Sequence, residues 1–328
     1  MRKLFIFIVI IQFVAISILV VYIFQKRNKV LGVQFNPINQ NDIVVATDSG
    51  KLKYFYQPPS NYTERVKNTW IADEVIYTYN SDTLNERYDY QIQKPPKSFR
   101  IVTLGDSFTF GLYVNTKDNY PEKLEDKLNS VCNNNPNVEV INLGMQGYDI
   151  EYSVERYKKR GVKYQPDLVI WFINSWNYLK INELVRERIN TLYDEVREKG
   201  ELDEMIEKEG VNFGWKLVKN ELESGMTKDI LVDKQFQFFN NFRNNYYQNN
   251  LIIMTFSDEL KSEKNYPGYI DFIEKIIKHD EKISLFPTLP YNRLITLKAD
   301  PHPDSDDYDM LAEKIVSFLA NENILKCN

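Results

Sequence analysis

The chain has 328 residues, 43% of them hydrophobic, enough to bury a sizeable core in one α/β domain with additions. Its 46 acidic side chains outnumber 41 Lys and Arg, for a formal charge of −5, and no basic patch with interleaved aromatics occurs. Nucleic acid is therefore excluded as an expected partner. The two cysteines, Cys132 and Cys327, fit no metal motif, and no metal or cofactor is expected; whether they pair is open at this level.

In chain order, Leu4 to Phe24 is apolar throughout apart from Gln12 and Ser17. As a helix it reaches about 30 Å, the hydrocarbon thickness of a bilayer. Arg2 and Lys3 precede it, and Lys26, Arg27 and Lys29 follow. The bulky Val21-Tyr22-Ile23-Phe24-Gln25 lacks the small residues of a cleavable signal. Residues 1–29 are thus expected to be a retained membrane anchor, with the remainder extracytoplasmic.

Residues 30–97 read as a polar lead-in with two short strand candidates, Ile43-Val44-Val45-Ala46 and Val75-Ile76-Tyr77-Thr78-Tyr79. Gln57-Pro58-Pro59-Ser60 and Lys94-Pro95-Pro96-Lys97 punctuate it. The main domain, 98–328, opens with the strand Phe99 to Leu104. An amphipathic helix from Pro121 places Leu124, Leu128 and Val131 on one face. A second strand, Val138 to Leu143, ends at Gly144, and a helix bearing Val154 and Tyr157 leads to a third, Asp167 to Ile173. Strands alternating with helices indicate a parallel α/β sheet.

From Tyr178 the composition turns charged and helical, with Leu184, Ile189, Leu192 and Val196 at helical spacing. This stretch, about 179–250, reads as a helical insertion roofing the carboxyl-end face, anchored by Trp215, Phe236, Phe238 and Phe239. Strand character resumes at Leu251 to Phe256, and the last helix is expected from about Asp306 to Ala320, capped by Asp304 or Ser305.

The chemistry sits in two short motifs. Gly105-Asp106-Ser107-Phe108-Thr109-Phe110-Gly111 delivers a serine at the carboxyl tip of a strand, where ligands of open α/β sheets bind. Far downstream, Asp300-Pro301-His302-Pro303 holds one of only two histidines. A serine hydroxyl needs a base to attack a carbonyl, and the base needs a third group to orient it. Ser107 Oγ and a His302 ring nitrogen are expected within about 3.5 Å of each other. His279, in the run Lys278-His279-Asp280-Glu281, reads as a solvated helix end.

These motifs, with Tyr79-Asn80-Ser81-Asp82, Asn142-Leu143-Gly144-Met145-Gln146-Gly147-Tyr148 and Pro166 to Ile170, resemble the SGNH/GDSL hydrolase family over about Tyr79 to Leu319. The resemblance implies a flavodoxin-like three-layer α/β/α sandwich with a mainly parallel sheet. It implies a serine esterase with Ser107 as nucleophile, His302 as general base and Asp300 as orienter. The family's commoner position for the acid, three residues before the histidine, is Ala299 here. Oxyanion donors by the same resemblance are the N–H groups of Ser107 and Gly144 and an asparagine after the third strand. The family's Gly-x-Asn-Asp becomes Ser175-Trp176-Asn177-Tyr178, which favours Asn177 by its small residue two positions earlier; Asn174, closer to the strand, competes. Asp106 is expected to hold the turn rather than react, Asp304 and Asp306 to start the last helix, and Trp176 to be either a pocket wall or core.

The implied substrate is a small acyl ester, plausibly O-acetyl on a cell-surface glycan. An O-acyltransferase with the same triad and a glycan acceptor, or a non-catalytic binding or assembly protein that keeps the fold, are the alternatives.

Overall fold

The computed structural model describes residues 56–68, 71, 73–201, 204–205, 208, 227–261, 266–293, 300 and 302–327. The expected anchor, the strand candidate at 43–46 and Trp215 lie outside these residues. Among the described residues no helix is long and apolar enough to cross a membrane.

An antiparallel hairpin, β1 (Tyr62–Val66) and β2 (Val75–Tyr79), precedes the main sheet. That sheet has five strands: β3 (Ser98–Leu104), β4 (Asn137–Asn142), β5 (Leu168–Phe172), β6 (Asn250–Phe256) and β7 (Ile283–Thr288). Its order is β4-β3-β5-β6-β7, every pair parallel. This is the flavodoxin-like order, whose switch point lies beside its first strand, here β3. Every residue of β5 is buried, as a central parallel strand covered on both faces must be.

Helices cover both faces. On one, α2 (Tyr120–Val131) and α8 (Ser305–Asn321) pack Leu124, Leu128, Leu311, Ile315 and Leu319 against Ile101, Val140 and Ile170. On the other, α3 (Ile150–Arg156), α6 (Lys228–Asn245) and α7 (Tyr269–Ile277) cover Val102, Leu104 and Trp171. Phe239 and Phe242 of α6 meet the Trp171 ring at centroid distances of 6.2 and 5.1 Å.

That packing revises the expected insertion at 179–250. Parallel neighbours β5 and β6 need a crossover, and α6 is that crossover helix, part of the fold's own layer. The added piece within the described residues reduces to α4 (Ser175–Leu179) and α5 (Asn182–Glu198). Ile181 and Val185 at the start of α5 cluster with Leu184, Ile189 and Leu192 against Leu231 of α6.

Two further differences from expectation have local causes, and the open question of the cysteines is answered. Val131 is 60% exposed, because the buried stripe of α2 runs at four-residue steps through Leu124 and Leu128 to Cys132. β7 escapes a sequence reading because Pro287 interrupts it; proline is tolerated there because β7 is an edge strand. Cys132 and Cys327 form a disulfide, Cα atoms 4.6 Å apart, that ties the end of α2 to the segment following α8. The lead-in also differs from a separate segment: β2 donates backbone hydrogen bonds from Ile76 to Asn115 Oδ1 and from Thr78 to Thr116 Oγ1. Part of the lead-in is thus built into the wall of the main domain.

Candidate active site

Ser107 is positioned by backbone. β3 stops at Leu104, and Gly105 turns the chain with φ +150°, where a Cβ would strike Thr109 Oγ1 and come within 3.0 Å of the Phe172 carbonyl. The single helical turn α1 (Ser107–Phe110) follows. Asp106 caps it, Oδ1 accepting from the Phe108 N–H at 3.0 Å, and Oδ2 accepting from Asn174 Nδ2 at 3.2 Å. The expected structural role of Asp106 is therefore the one its contacts show. Gly144, just past β4, lets the next strand's end lie directly against α1: a Cβ there would overlap Phe110 N and sit 2.6 Å from the Thr109 carbonyl carbon.

His302 reaches Ser107 from the loop before α8. Its Nε2 lies 2.8 Å from Ser107 Oγ, and its Nδ1 hydrogen-bonds Asp300 Oδ1. The structure thus brings together three side chains 195 residues apart in sequence. The imidazole stacks on Phe108, centroids 4.8 Å apart, and meets the edge of Tyr113 at 5.4 Å. Asp300 keeps a second hydrogen bond, accepted by Oδ2 from Tyr113 Oη at 3.2 Å. Two residues on, Asp304 and Asp307 form a reciprocal capping box that starts α8. His302 and Asp300 side chains remain 13% and 20% exposed, so both groups are partly open to solvent.

The expected oxyanion donors are arranged differently from the expectation. The Ser107 N–H makes no hydrogen bond among the described residues. The Gly144 N–H, by contrast, donates to Asn142 Oδ1 at 2.9 Å, because the Asn142 side chain folds over the end of its own strand. Asn177, the preferred asparagine, points its Nδ2 to the Tyr148 carbonyl at 2.9 Å, and its Oδ1 accepts from the Asn174 N–H at 3.0 Å. Asn174 is the cap of α4: its Oδ1 accepts from the Asn177 N–H, and its Nδ2 turns to the Asp106 carboxylate beside Ser107. The short helix that starts at Ser175 uses both residues for its first turn, Asn177 through Oδ1 and its N–H, while its Nδ2 carries the bond to Tyr148. Of the two, Asn174 is the one tied to the nucleophile turn.

Two partners of this site carry no sequence signal. Tyr113 sits at φ +71°, an unusual backbone for a bulky side chain, and its N–H donates to Tyr77 Oη at 2.8 Å. Burial, then the Asp300 charge, pushes its hydroxyl up to about 12. Glu259, following β6, accepts from Ser175 Oγ at 2.6 Å and from the Ser175 N–H at 3.0 Å, clamping the start of α4. Burial raises its carboxyl to about 7 against the opposing Ser175 hydrogen bonds. Burial likewise raises Asp149, the cap of α3, to about 6. No spacing rule finds these, since their partners lie 84 and 187 residues away.

Trp176 is 54% exposed on α4 and so is not core. His279 is not solvated as expected: it leans on Phe236 and Phe239 and bonds Asn240 Oδ1 at 2.9 Å. Among the described residues no group of His, Cys, Asp and Glu could hold a metal ion.

No protein-family model matches the chain, and no curated protein does. Similar solved structures include a family two carbohydrate esterase from Cellvibrio japonicus, 13% identical at a TM-score of 0.42, covering 68% of this chain and 61% of that one. An acetyl xylan esterase from Butyrivibrio proteoclasticus matches at 13% identity and TM-score 0.42, over 70% of this chain and 65% of its own. A lipase/acylhydrolase from Enterococcus faecalis matches at 16% identity and TM-score 0.40, over 70% and 98%. The chain spans less than two thirds of the length of both carbohydrate esterases.

Proposed function

We propose that this chain is a serine esterase acting on small acyl esters through an acyl-enzyme, with Ser107 as nucleophile, His302 as proton carrier and Asp300 as its orienter. The observation that carries this reading is the 2.8 Å separation of Ser107 Oγ and His302 Nε2, with Asp300 on the opposite ring nitrogen. In the first step Ser107 Oγ attacks the ester carbonyl carbon while its proton passes to His302 Nε2. Asp300 holds the ring in the tautomer that leaves Nε2 free and stabilises the imidazolium that forms. The tetrahedral oxygen takes the Ser107 N–H as donor. Collapse breaks the bond to the alcohol, which leaves with the proton from His302, and water then repeats the sequence on the acyl-serine. The apolar run at 4–24 supports an extracytoplasmic, membrane-tethered placement, and with it an O-acylated surface glycan as the acyl donor, its sugar hydroxyl being the alcohol that leaves.

A fluorophosphonate probe tests the reading. The wild-type chain is expected to take up one label and to hydrolyse p-nitrophenyl acetate, and Ser107→Ala to do neither, a loss of about 10,000-fold or more in turnover. One observation favours a second reading, a binding protein that keeps the fold. The Gly144 N–H is taken by Asn142 Oδ1 and one Asn177 amide proton by the Tyr148 carbonyl, which leaves fewer donors for a tetrahedral oxygen than two unengaged groups would. A folded wild-type chain that never takes up the probe would decide for that reading.

A further inference from the structure

We propose that Tyr113 is a positioning residue for Asp300, fixing the carboxylate through its second oxygen and thereby the angle at which His302 faces Ser107. This inference rests on the esterase reading above. Asp300 Oδ1 is committed to His302 Nδ1, and a carboxylate held at one oxygen can still swing about its Cβ–Cγ bond. The Tyr113 hydroxyl donates to Oδ2 at 3.2 Å, so both oxygens are anchored and that rotation is closed. The same phenol ring stands at 87° to the imidazole with centroids 5.4 Å apart, and Phe108 stacks on the imidazole at 4.8 Å. One side chain therefore touches both the base and its orienter.

The backbone shows that this placement is imposed. Tyrosine is disfavoured at φ +71°, a conformation that persists only where surroundings over-determine it. The surroundings here are identifiable: the Tyr113 N–H donates to the hydroxyl of Tyr77, a residue of β2 only 2% exposed. β2 is in turn bonded through Ile76 and Thr78 to Asn115 and Thr116, two and three residues after Tyr113. The β1–β2 hairpin therefore works as a bracket for the acid of the triad, a role for the lead-in that its sequence does not announce.

The test uses the full chain with p-nitrophenyl acetate as substrate and a fluorophosphonate as active-site titrant. Tyr113→Phe keeps the ring and removes one hydrogen bond to a charged group; kcat is expected to fall about tenfold with KM unchanged. The low-field proton resonance of the His302–Asp300 hydrogen bond should move further downfield, because Asp300 Oδ1 becomes the stronger acceptor once Oδ2 loses its donor. In an Asp300→Asn background, Tyr113→Phe should have no further effect on kcat, since Tyr113 acts through that carboxylate. If Tyr113→Phe changes neither kcat nor the resonance, or lowers kcat equally in both backgrounds, Tyr113 is packing only and the proposal fails while the esterase reading stands. A wild-type chain that does not react with the titrant overturns both.

Discussion

Ser107 and His302 meet at 2.8 Å, yet they arrive there by different means. Ser107 is carried by main chain: a central strand of a parallel sheet, a glycine turn, a capped helical turn and a second glycine pressed against it. His302 is carried by side chains: the Phe108 face, the Tyr113 edge and the Asp300 carboxylate, itself held by Tyr113. Ser107 is thus coupled to the stability of the whole sheet, whereas His302 is coupled to a handful of contacts at its rim. Damage on the first side should appear as unfolding together with lost chemistry. Damage on the second should appear as lost chemistry in a folded protein.

The largest effect is expected on the histidine side. Asp300→Asn keeps shape and removes the charge, so turnover on p-nitrophenyl acetate should fall about 10,000-fold while the thermal midpoint stays close to that of the wild type. A large drop in the midpoint would mean that the 300–302 loop belongs to the folding unit after all, and the contrast would be lost. On the nucleophile side, Gly144→Ala forces a methyl group into the backbone of Thr109 and Phe110. It should destabilise the chain by about 1–3 kcal/mol in urea unfolding and slow fluorophosphonate labelling in parallel. An unchanged urea midpoint would show that α1 yields freely and is not gripped by the sheet.

The smallest effect is a dependence on pH. Burial raises Glu259 and Glu125 to about 7 and Asp149 to about 6, so the folded chain holds protons that the unfolded chain releases nearer pH 4. Their contribution is complete below about pH 4 and is lost as pH rises through 6 and 7. The thermal midpoint is therefore expected to fall between pH 5 and pH 8, and Glu259→Gln to flatten part of that slope. A midpoint that instead rises over this range would contradict the burial of these carboxyls.

Much of the scaffold could be read in advance because its signals are local. The apolar runs at 101–104 and 168–172, the four-residue repeat of Leu311, Ile315 and Leu319, and the acids before α8 each act within one element. Three features resisted because their causes are distant. β7 is recognisable only through its partner β6, since its own sequence contains Pro287 and alternates poorly. α6 looked like inserted material because its charged face dominates its composition, while Phe239 and Phe242 show their purpose only against Trp171. Asn177 matched a family spacing, but a helix begins at Ser175 and takes its Oδ1 for the first turn, while its Nδ2 bonds the Tyr148 carbonyl.

Composition and periodicity were sufficient for the layered α/β class, since hydrophobic repeat and turn chemistry operate over a few residues, and two short motifs were sufficient to nominate Ser107 and His302 as candidates. Which carboxylate clamps Ser175, which tyrosine holds Asp300, and whether the two cysteines join are questions of contact across 84 to 195 residues. Such contacts come from how layers stack and where strands end, and no window of neighbouring residues contains that information.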